Sequence, residues 1–220
     1  MDARETLIGV IEAEMRATAQ WTGRPQLAPR VRAALSAVPR EAFVPARSRA
    51  EAYANHPLRI GHGQTISQPY IVALMTDLLD PAEDHVVLEV GTGSGYQAAV
   101  LARLVRHVYS IEIIPTLSAQ AATALAQAQI HNVTLRLGDG ATGWPEHAPY
   151  DGIIVTAAGP MVPPALVAQL RPGGRMVIPL GEPFGDQMLT VVTRDMGGIV
   201  TQRDILPVAF VPLVEARPTP

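Results

Sequence analysis

Apolar residues recur along the chain with two periods, one typical of helices and one typical of buried strands. Near the N-terminus, Leu7, Ile11 and Met15 recur at helical spacing and predict a helix from about residue 4 to residue 20. A second helix is predicted at 29–38, and we expect the two to cover one edge of a sheet. Beyond residue 80, short apolar runs alternate with helical segments, which indicates β-α-β units and a parallel sheet. The predicted strands are 86–90, 108–112, 133–137, 152–156, 176–180, 188–193 and 206–214, and the helices between them are 97–102, 115–129 and 164–170.

Three other stretches fit neither period. Residues 53–68 are rich in Gly, His and Pro, and we expect a long irregular loop with a functional role, which leads into an apolar helix at 70–79. A turn at 195–198 joins the last two predicted strands, which favours an antiparallel hairpin at the sheet edge. Residues 217–220 are predicted to form a loose tail.

The first predicted strand runs directly into a turn with three glycines, Gly91, Gly93 and Gly95, and then into a helix. Glycine lets the backbone close on a ligand, and the helix N-terminus offers unpaired N–H groups. A dinucleotide fingerprint needs a small residue where Tyr96 stands, whereas here an acid, Glu89, precedes the glycines. The spacing favours S-adenosylmethionine over NAD, with a Gly-rich turn of an unrelated α/β protein as the alternative.

Acidic residues also end the next two predicted strands. Glu112 follows the first glycine by about 20 residues, where a carboxylate can accept hydrogen bonds from the ribose hydroxyls of an adenosine. Asp139 closes the third strand and is well placed to receive an adenine amino group. Because ligands of parallel sheets bind outside the carboxyl ends of the strands, we expect these acids to share one site.

The composition of the chain limits its domain organisation and the kinds of partner that it can bind. A chain of 220 residues, 48% hydrophobic and 17% charged, can bury a full-sized core. We expect one domain over 1–220, with the N-terminal helices and the loop in 1–80 and the sheet in 84–214. A net charge of -3 provides no basic surface, so we expect neither a nucleic acid nor a membrane as partner.

The chain contains no cysteine, which excludes disulfides, thiolate nucleophiles and Cys-type zinc sites. Its six histidines never fall at zinc-ligand spacing, so we expect no metal site. The N-terminus lacks an apolar run behind a basic start, and we therefore expect a cytoplasmic protein.

Several segments together resemble the protein-L-isoaspartate O-methyltransferases over essentially the whole chain. The most specific is Gly-Gln-Thr-Ile-Ser-Gln-Pro at 63–69; the others are 38–45, 61–70, 87–101, 138–140, 151–158 with 163–166, and 210–213. The resemblance implies an α/β fold with a Rossmann-like, seven-stranded, mostly parallel sheet. Helices are expected on both faces, with an antiparallel last hairpin and an N-terminal helical segment.

The implied activity is methyl transfer from S-adenosylmethionine to the free α-carboxylate of isoaspartyl residues in damaged peptides and proteins. Because the sequence shows no heptad pattern and no exposed apolar stripe, we expect a monomer. A carboxylate is already a nucleophile at pH 7, so the enzyme must mainly align it, which can contribute roughly 7 to 11 kcal/mol. The resemblance makes Ser67 the catalytic residue. It implies cofactor contacts at Thr65, Ile66, Gln68, Glu89, Gly91, Gly93, Gly95, Glu112, Ile113, Asp139 and Gly140.

The sequence alone leaves alternatives open for the role of Ser67 and for the activity of the protein. Ser67 precedes Pro69 and an apolar helix, so it could be an N-cap. The methyl acceptor could be another carboxylate, or the chain could bind the cofactor without catalysis. An NAD oxidoreductase is a less favoured hypothesis. Four departures from the family pattern affect the substrate side rather than the cofactor side: Asn55, Arg59, Ala141 and Ala209.

Overall fold

The computed structural model describes residues 2–182 and 185–214, so the tail predicted at 217–220 lies outside the described residues. Helices and strands alternate in the predicted order. The helices are α1 (Ala3–Thr22), α2 (Pro29–Ala37), α3 (Pro69–Leu79), α4 (Tyr96–Ala102), α5 (Pro115–Gln127) and α6 (Pro164–Gln169). The strands are β1 (Leu58–Gly61), β2 (Gln64–Ile66), β3 (Val86–Val90), β4 (His107–Glu112), β5 (Val133–Leu137), β6 (Tyr150–Val155), β7 (Leu170–Gly181), β8 (Gln187–Arg194) and β9 (Val200–Val208).

Within the described residues, seven strands form one sheet in the order β5-β4-β3-β6-β7-β8-β9. Strands β3 to β7 are parallel, and β8 is antiparallel to both of its neighbours. The predicted Rossmann-like sheet with an antiparallel last hairpin is therefore confirmed. The chain leaves β3 towards β4 and β5 on one side and later returns to β6 on the other, so β3 and β6 flank a topological switch point.

Helices cover both faces of the sheet because successive residues of a strand point to opposite sides. In β3, Val87 packs in a core with residues of α1 to α5, whereas Leu88 packs in a second core with Leu166 of α6. Helix α1 packs on α2 and α3 and also contacts the edge strand β9, as expected of a helix that covers a sheet edge. Within the described residues, the helices are too short or too polar to cross a membrane.

The prediction of an irregular loop at 53–68 is wrong in its second half. Strands β1 and β2 form an antiparallel hairpin in which Leu58 pairs with Ile66. Leu58, Ile60 and Ile66 are buried, and Gly61 and Gly63 adopt positive φ at the turn. The apolar residues thus hold the hairpin against the core while its glycines reverse the chain.

The last strand is also shifted, from the predicted 206–214 to Val200–Val208. The first residues of β9 are exposed at the sheet edge, so they lack the apolar pattern of a buried strand. Residues beyond β9 leave the edge and cross the carboxyl ends of the strands. There the Ala158 N–H donates to Val211 O at 2.8 Å, and the Leu213 N–H donates to Ala158 O at 2.7 Å.

Strand β7 begins at Leu170 rather than Met176. Leu170 pairs with Tyr150, and Arg175 pairs with Gly152, so the four residues between them bulge out of register. Residues 171–174 form this bulge, which lies at the amino end of the strand.

Candidate functional site

A cleft opens outside the carboxyl ends of β3, β4 and β6, at the topological switch point of the sheet. One wall is the end of the β1–β2 hairpin, a second is the glycine turn after β3, and a third is the segment after β9. The lining residues are 64–67, Val72, 90–94, Tyr96, Gln97, 111–114, Gly140, Thr156, Ala157 and 211–214.

The glycine turn is held against β6 and needs residues without side chains. Gly91 and Gly93 have φ values of 93° and 54°. A methyl group on Gly91 would overlap Thr156 Oγ1, which donates a hydrogen bond of 2.6 Å to Gly91 O. Gly95 lies behind the cleft at the start of α4, where a methyl group would press on Ala121 of α5 at 3.3 Å. The turn therefore presents backbone to the cleft.

Glu112 ends β4 and joins the floor of the cleft to the glycine turn. Its Oε2 accepts the Gly93 N–H at 2.7 Å, and its Oε1 accepts the N–H groups of Ile113 and Ile114 at 3.0 and 2.9 Å. These bonds use three of the roughly four acceptor sites of a carboxylate. The side chain can accept one more hydrogen bond from a ligand in the cleft.

Glu89 lies beneath the glycine turn and is 0% exposed. Ser110 Oγ donates a hydrogen bond to Glu89, and the same hydroxyl lies 2.6 Å from Thr92 Oγ1 in the turn. Burial raises the pKa of the Glu89 carboxyl to about 8, so the group is mostly protonated at pH 7. Through the Ser110 hydroxyl, Glu89 is connected to Thr92 in the wall of the cleft.

Ser67 lies half-buried on the wall formed by the hairpin. The N-cap of α3 is Gln68, and the N–H of Tyr70 is bound by Asn55 Oδ1 at 3.0 Å. Among the residues that the structure describes, the Ser67 hydroxyl has no hydrogen-bond partner, whereas its carbonyl accepts from Arg40 Nη2 at 2.8 Å. The capping alternative is therefore not supported, and the hydroxyl can bind a ligand.

Two predicted cofactor contacts are not among the residues that line the cleft, Gln68 and Asp139. The Gln68 amide faces α1, with Nε2 3.5 Å from both carboxylate oxygens of Glu14. Asp139 Oδ1 accepts the Ala141 N–H at 2.9 Å and so shapes the turn at Gly140. A methyl group on Gly140 would overlap Val90, which explains the glycine at that point of the cleft.

The structure brings together most of the residues that the sequence singles out. Thr65, Ile66, Ser67, Gly91, Gly93, Glu112, Ile113 and Gly140 line one cleft, while Gln68, Glu89, Gly95 and Asp139 are not part of its lining. The sequence prediction missed Thr156, Ala157 and the segment 211–214. Thr156 ends the fourth predicted strand, so the strand-end rule that selected the three acids could have found it.

Asp151 lies outside the cleft and has a structural role. Asp151 at the start of β6 pairs with Arg171 and accepts the N–H of Val86, so it joins strands at the amino end of the sheet.

Within residues 2–182 and 185–214, no group of three or more His, Asp or Glu side chains could hold a metal ion.

Comparison with known proteins identifies the family. The family model described as protein-L-isoaspartate(D-aspartate) O-methyltransferase matches residues 21–218. A protein-L-isoaspartate O-methyltransferase 2 of Syntrophobacter fumaroxidans is 57% identical over 96% of this chain and 85% of that protein. A protein of the same name from Polaromonas sp. is 58% identical over 94% of this chain and 98% of that protein.

Solved structures show the same fold. A protein-L-isoaspartate O-methyltransferase superposes with a TM-score of 0.82 at 27% identity, over 95% of this chain and 65% of that chain. A Plasmodium falciparum protein solved with S-adenosyl-L-homocysteine superposes with a TM-score of 0.80 at 22% identity, over 97% of this chain and 99% of that chain. With the family model covering most of its length, the chain belongs to the protein-L-isoaspartate(D-aspartate) O-methyltransferase family.

Proposed function

We propose that this protein transfers a methyl group from S-adenosylmethionine to the free α-carboxylate of L-isoaspartyl residues in peptides and proteins. The observation that carries the proposal is the placement of Ser67. In a chain of this family, Ser67 lines a cleft that the glycine turn also lines, and among the described residues its hydroxyl has no partner. A hydroxyl so placed can donate a hydrogen bond to a carboxylate.

The cleft residues fit the methyl donor. Side chains at Gly91 and Gly140 would overlap Thr156 and Val90, so at both points the cleft wall is bare backbone. Glu112 retains an acceptor for a ribose hydroxyl, and Ile113 beside it offers an apolar surface to an adenine ring. When bound, S-adenosylmethionine supplies an electrophilic methyl group on a positively charged sulfur. Thr65, Ile66, Gly93 and Gly140 complete the proposed contacts, and Gln68, Glu89, Gly95 and Asp139 hold them in place.

The side chains have an orienting role in this reaction. The substrate carboxylate is ionised at pH 7 and needs no general base. Ser67 donates to one carboxylate oxygen and leaves the other as the nucleophile, while the segment 211–214 covers the opposite side of the cleft. Holding the nucleophile in line with the methyl group is worth roughly 7 to 11 kcal/mol.

The product explains how methylation leads to repair. Esterification turns the α-carboxylate into a better electrophile. The neighbouring backbone nitrogen attacks the ester carbonyl carbon, the bond from that carbon to the methoxy group breaks, and methanol leaves with the amide proton as the succinimide closes. Hydrolysis of that ring returns a share of normal aspartyl linkages. We propose that 1–80 and 84–214 form one domain, since their residues share one hydrophobic core. We also propose that the chain carries out the methyl transfer as a monomer in the cytoplasm.

The Ser67→Ala variant tests the proposed role. Transfer of a labelled methyl group to an L-isoaspartyl peptide should fall about 10²-fold or more, because a hydrogen bond to the reacting group is lost. Binding of S-adenosylhomocysteine, measured by calorimetry, should change less than twofold. Ser48→Ala, at a half-buried serine in the 3-10 helix Ala46–Glu51, is the matched control and should retain full activity. Full activity of Ser67→Ala would contradict the proposed role.

A further inference from the structure

Arg40 is a buried cation that has no carboxylate partner among the described residues. It lies in the 3-10 helix Arg40–Phe43, and its side chain is 0% exposed. Nη2 donates to the carbonyl oxygen of Ser67 at 2.8 Å, and the guanidinium carbon lies 4.9 Å from the centre of the Tyr96 ring. Within residues 2–182 and 185–214, Nε and Nη1 have no hydrogen-bond partner.

This arrangement is unusual for a buried charge. Transfer of a charge from water to the protein interior is unfavourable, so buried arginines are normally paired with an opposite charge. Burial lowers the pKa of Arg40 to about 10, which still leaves the guanidinium protonated at pH 7. The Ser67 carbonyl dipole, the face of the Tyr96 ring and the Tyr96 hydroxyl, which also interacts with the guanidinium, compensate the charge only in part because none of them carries a negative charge.

Arg40 lies directly behind the cleft. Two residues that it contacts, Ser67 and Tyr96, line the cleft from different walls: Ser67 follows the hairpin, and Tyr96 begins α4 after the glycine turn. The Tyr96 ring is fixed in turn by Phe43, with ring centres 5.7 Å apart. The guanidinium therefore joins the loop of Ser67 to the glycine turn and places a positive charge behind both.

We propose that Arg40 is a positioning residue that also selects for an anionic substrate group: it fixes Ser67 through its carbonyl, and its charge attracts the α-carboxylate bound in front of it. The inference rests on the proposed function, which supplies the carboxylate. A charge that is poorly screened by solvent acts over several ångströms, so direct contact is not required. The methyl ester product is neutral, so the same charge favours binding of substrate over product.

The test compares two peptides in each variant. One contains an L-isoaspartyl residue with a free α-carboxylate, and the other has that carboxylate replaced by a neutral carboxamide. Their Kd values are measured by calorimetry with S-adenosylhomocysteine bound, for the wild type, Arg40→Lys, Arg40→Gln and Arg40→Met. Arg194→Gln is the matched control, because Arg194 also donates to a backbone carbonyl, Leu170 O at 2.7 Å, but lies outside the cleft.

The ratio of the two Kd values distinguishes an effect of the Arg40 charge on the substrate carboxylate from a structural effect of the substitution. We expect the preference for the carboxylate peptide to fall at least tenfold in Arg40→Gln and Arg40→Met, and to stay within threefold of wild type in Arg40→Lys and Arg194→Gln. A preference that is unchanged in Arg40→Gln, with both peptides weakened equally, would overturn the proposal. Because each ratio is taken within one variant, a reduced fraction of folded protein does not alter it. Methyl transfer by the wild type, measured first, tests the proposed function separately.

Discussion

Replacing Glu89 with glutamine is predicted to change how the free energy of unfolding depends on pH. Glu89 is 0% exposed and accepts a hydrogen bond from Ser110. Burial is the largest cause that raises the pKa of its carboxyl from 4.5 to about 8. In the unfolded chain the same carboxyl titrates at its ordinary pKa. The folded protein therefore keeps a proton over a pH range in which the unfolded chain has released it.

The sign and size of the effect follow from this difference. A group whose pKa is raised by folding stabilises the folded state at low pH, and the stabilisation is lost as pH rises through the folded pKa. For Glu89 it is fully present below pH 4.5 and is lost by about pH 8. The slope reaches about 1.4 kcal/mol per pH unit, which amounts to a loss of about 2 kcal/mol between pH 6 and pH 8. Glutamine has no proton to release in this range.

Urea unfolding of the wild type and Glu89→Gln, at pH 6, 7 and 8 without cofactor, measures the effect, because other titrating groups cancel in the difference. The stability of the wild type relative to the variant should fall by about 2 kcal/mol over this range. Glu83→Gln is the control, since the Glu83 side chain is 90% exposed. If the stability of the wild type relative to Glu89→Gln stays constant with pH, the reasoning is refuted. If that relative stability instead increases with pH, the buried carboxyl is ionised.

Gly91→Ala is expected to weaken S-adenosylhomocysteine binding at least tenfold in calorimetry, because a methyl group at φ 93° is strained and overlaps Thr156. Asn55→Asp is expected to lower the free energy of unfolding in urea by about 1 to 2 kcal/mol, because Asn55 Nδ2 donates to Glu14 Oε2 at 2.6 Å and an aspartate would oppose that carboxylate.

Each substitution has a matched control. Gly9→Ala adds a methyl group in α1 with no described atom within 4 Å, so ligand affinity should be unchanged. If Gly91→Ala binds as well as Gly9→Ala, the close approach of Thr156 is not limiting. The double variant Glu14→Gln/Asn55→Asp should recover most of the lost stability. Equal stability of Asn55→Asp and wild type at pH 8 would contradict the pairing with Glu14.

The order of strands and helices along the chain could be predicted because buried parallel strands are continuous apolar runs with glycines and acids at their ends. The burial of the Glu89 side chain could not be predicted from the sequence. Its burial depends on the register of β3 with β4, which places Ser110 opposite it and a hydrogen bond on its carboxyl. An acid at a strand end therefore suggested a ligand contact, whereas the structure places the side chain under the glycine turn.

The errors near the site have similar physical causes. Strands β1 and β2 contain four and three residues, which is too short for an alternating pattern to emerge between the glycines. Strand β9 begins with exposed polar residues at the sheet edge, while the apolar run after it lines the cleft. Apolar residues that form a ligand site and those that form a strand have the same composition, and only the fold separates them.

The most direct test of the central claim uses two synthetic peptides that differ in one linkage, L-isoaspartyl in one and L-aspartyl in the other. Initial rates of methyl transfer from labelled S-adenosylmethionine are measured with the wild-type protein. The proposed function predicts transfer to the isoaspartyl peptide and background incorporation in the aspartyl peptide. Equal transfer to both peptides, or transfer to neither by protein that binds S-adenosylhomocysteine, would contradict it.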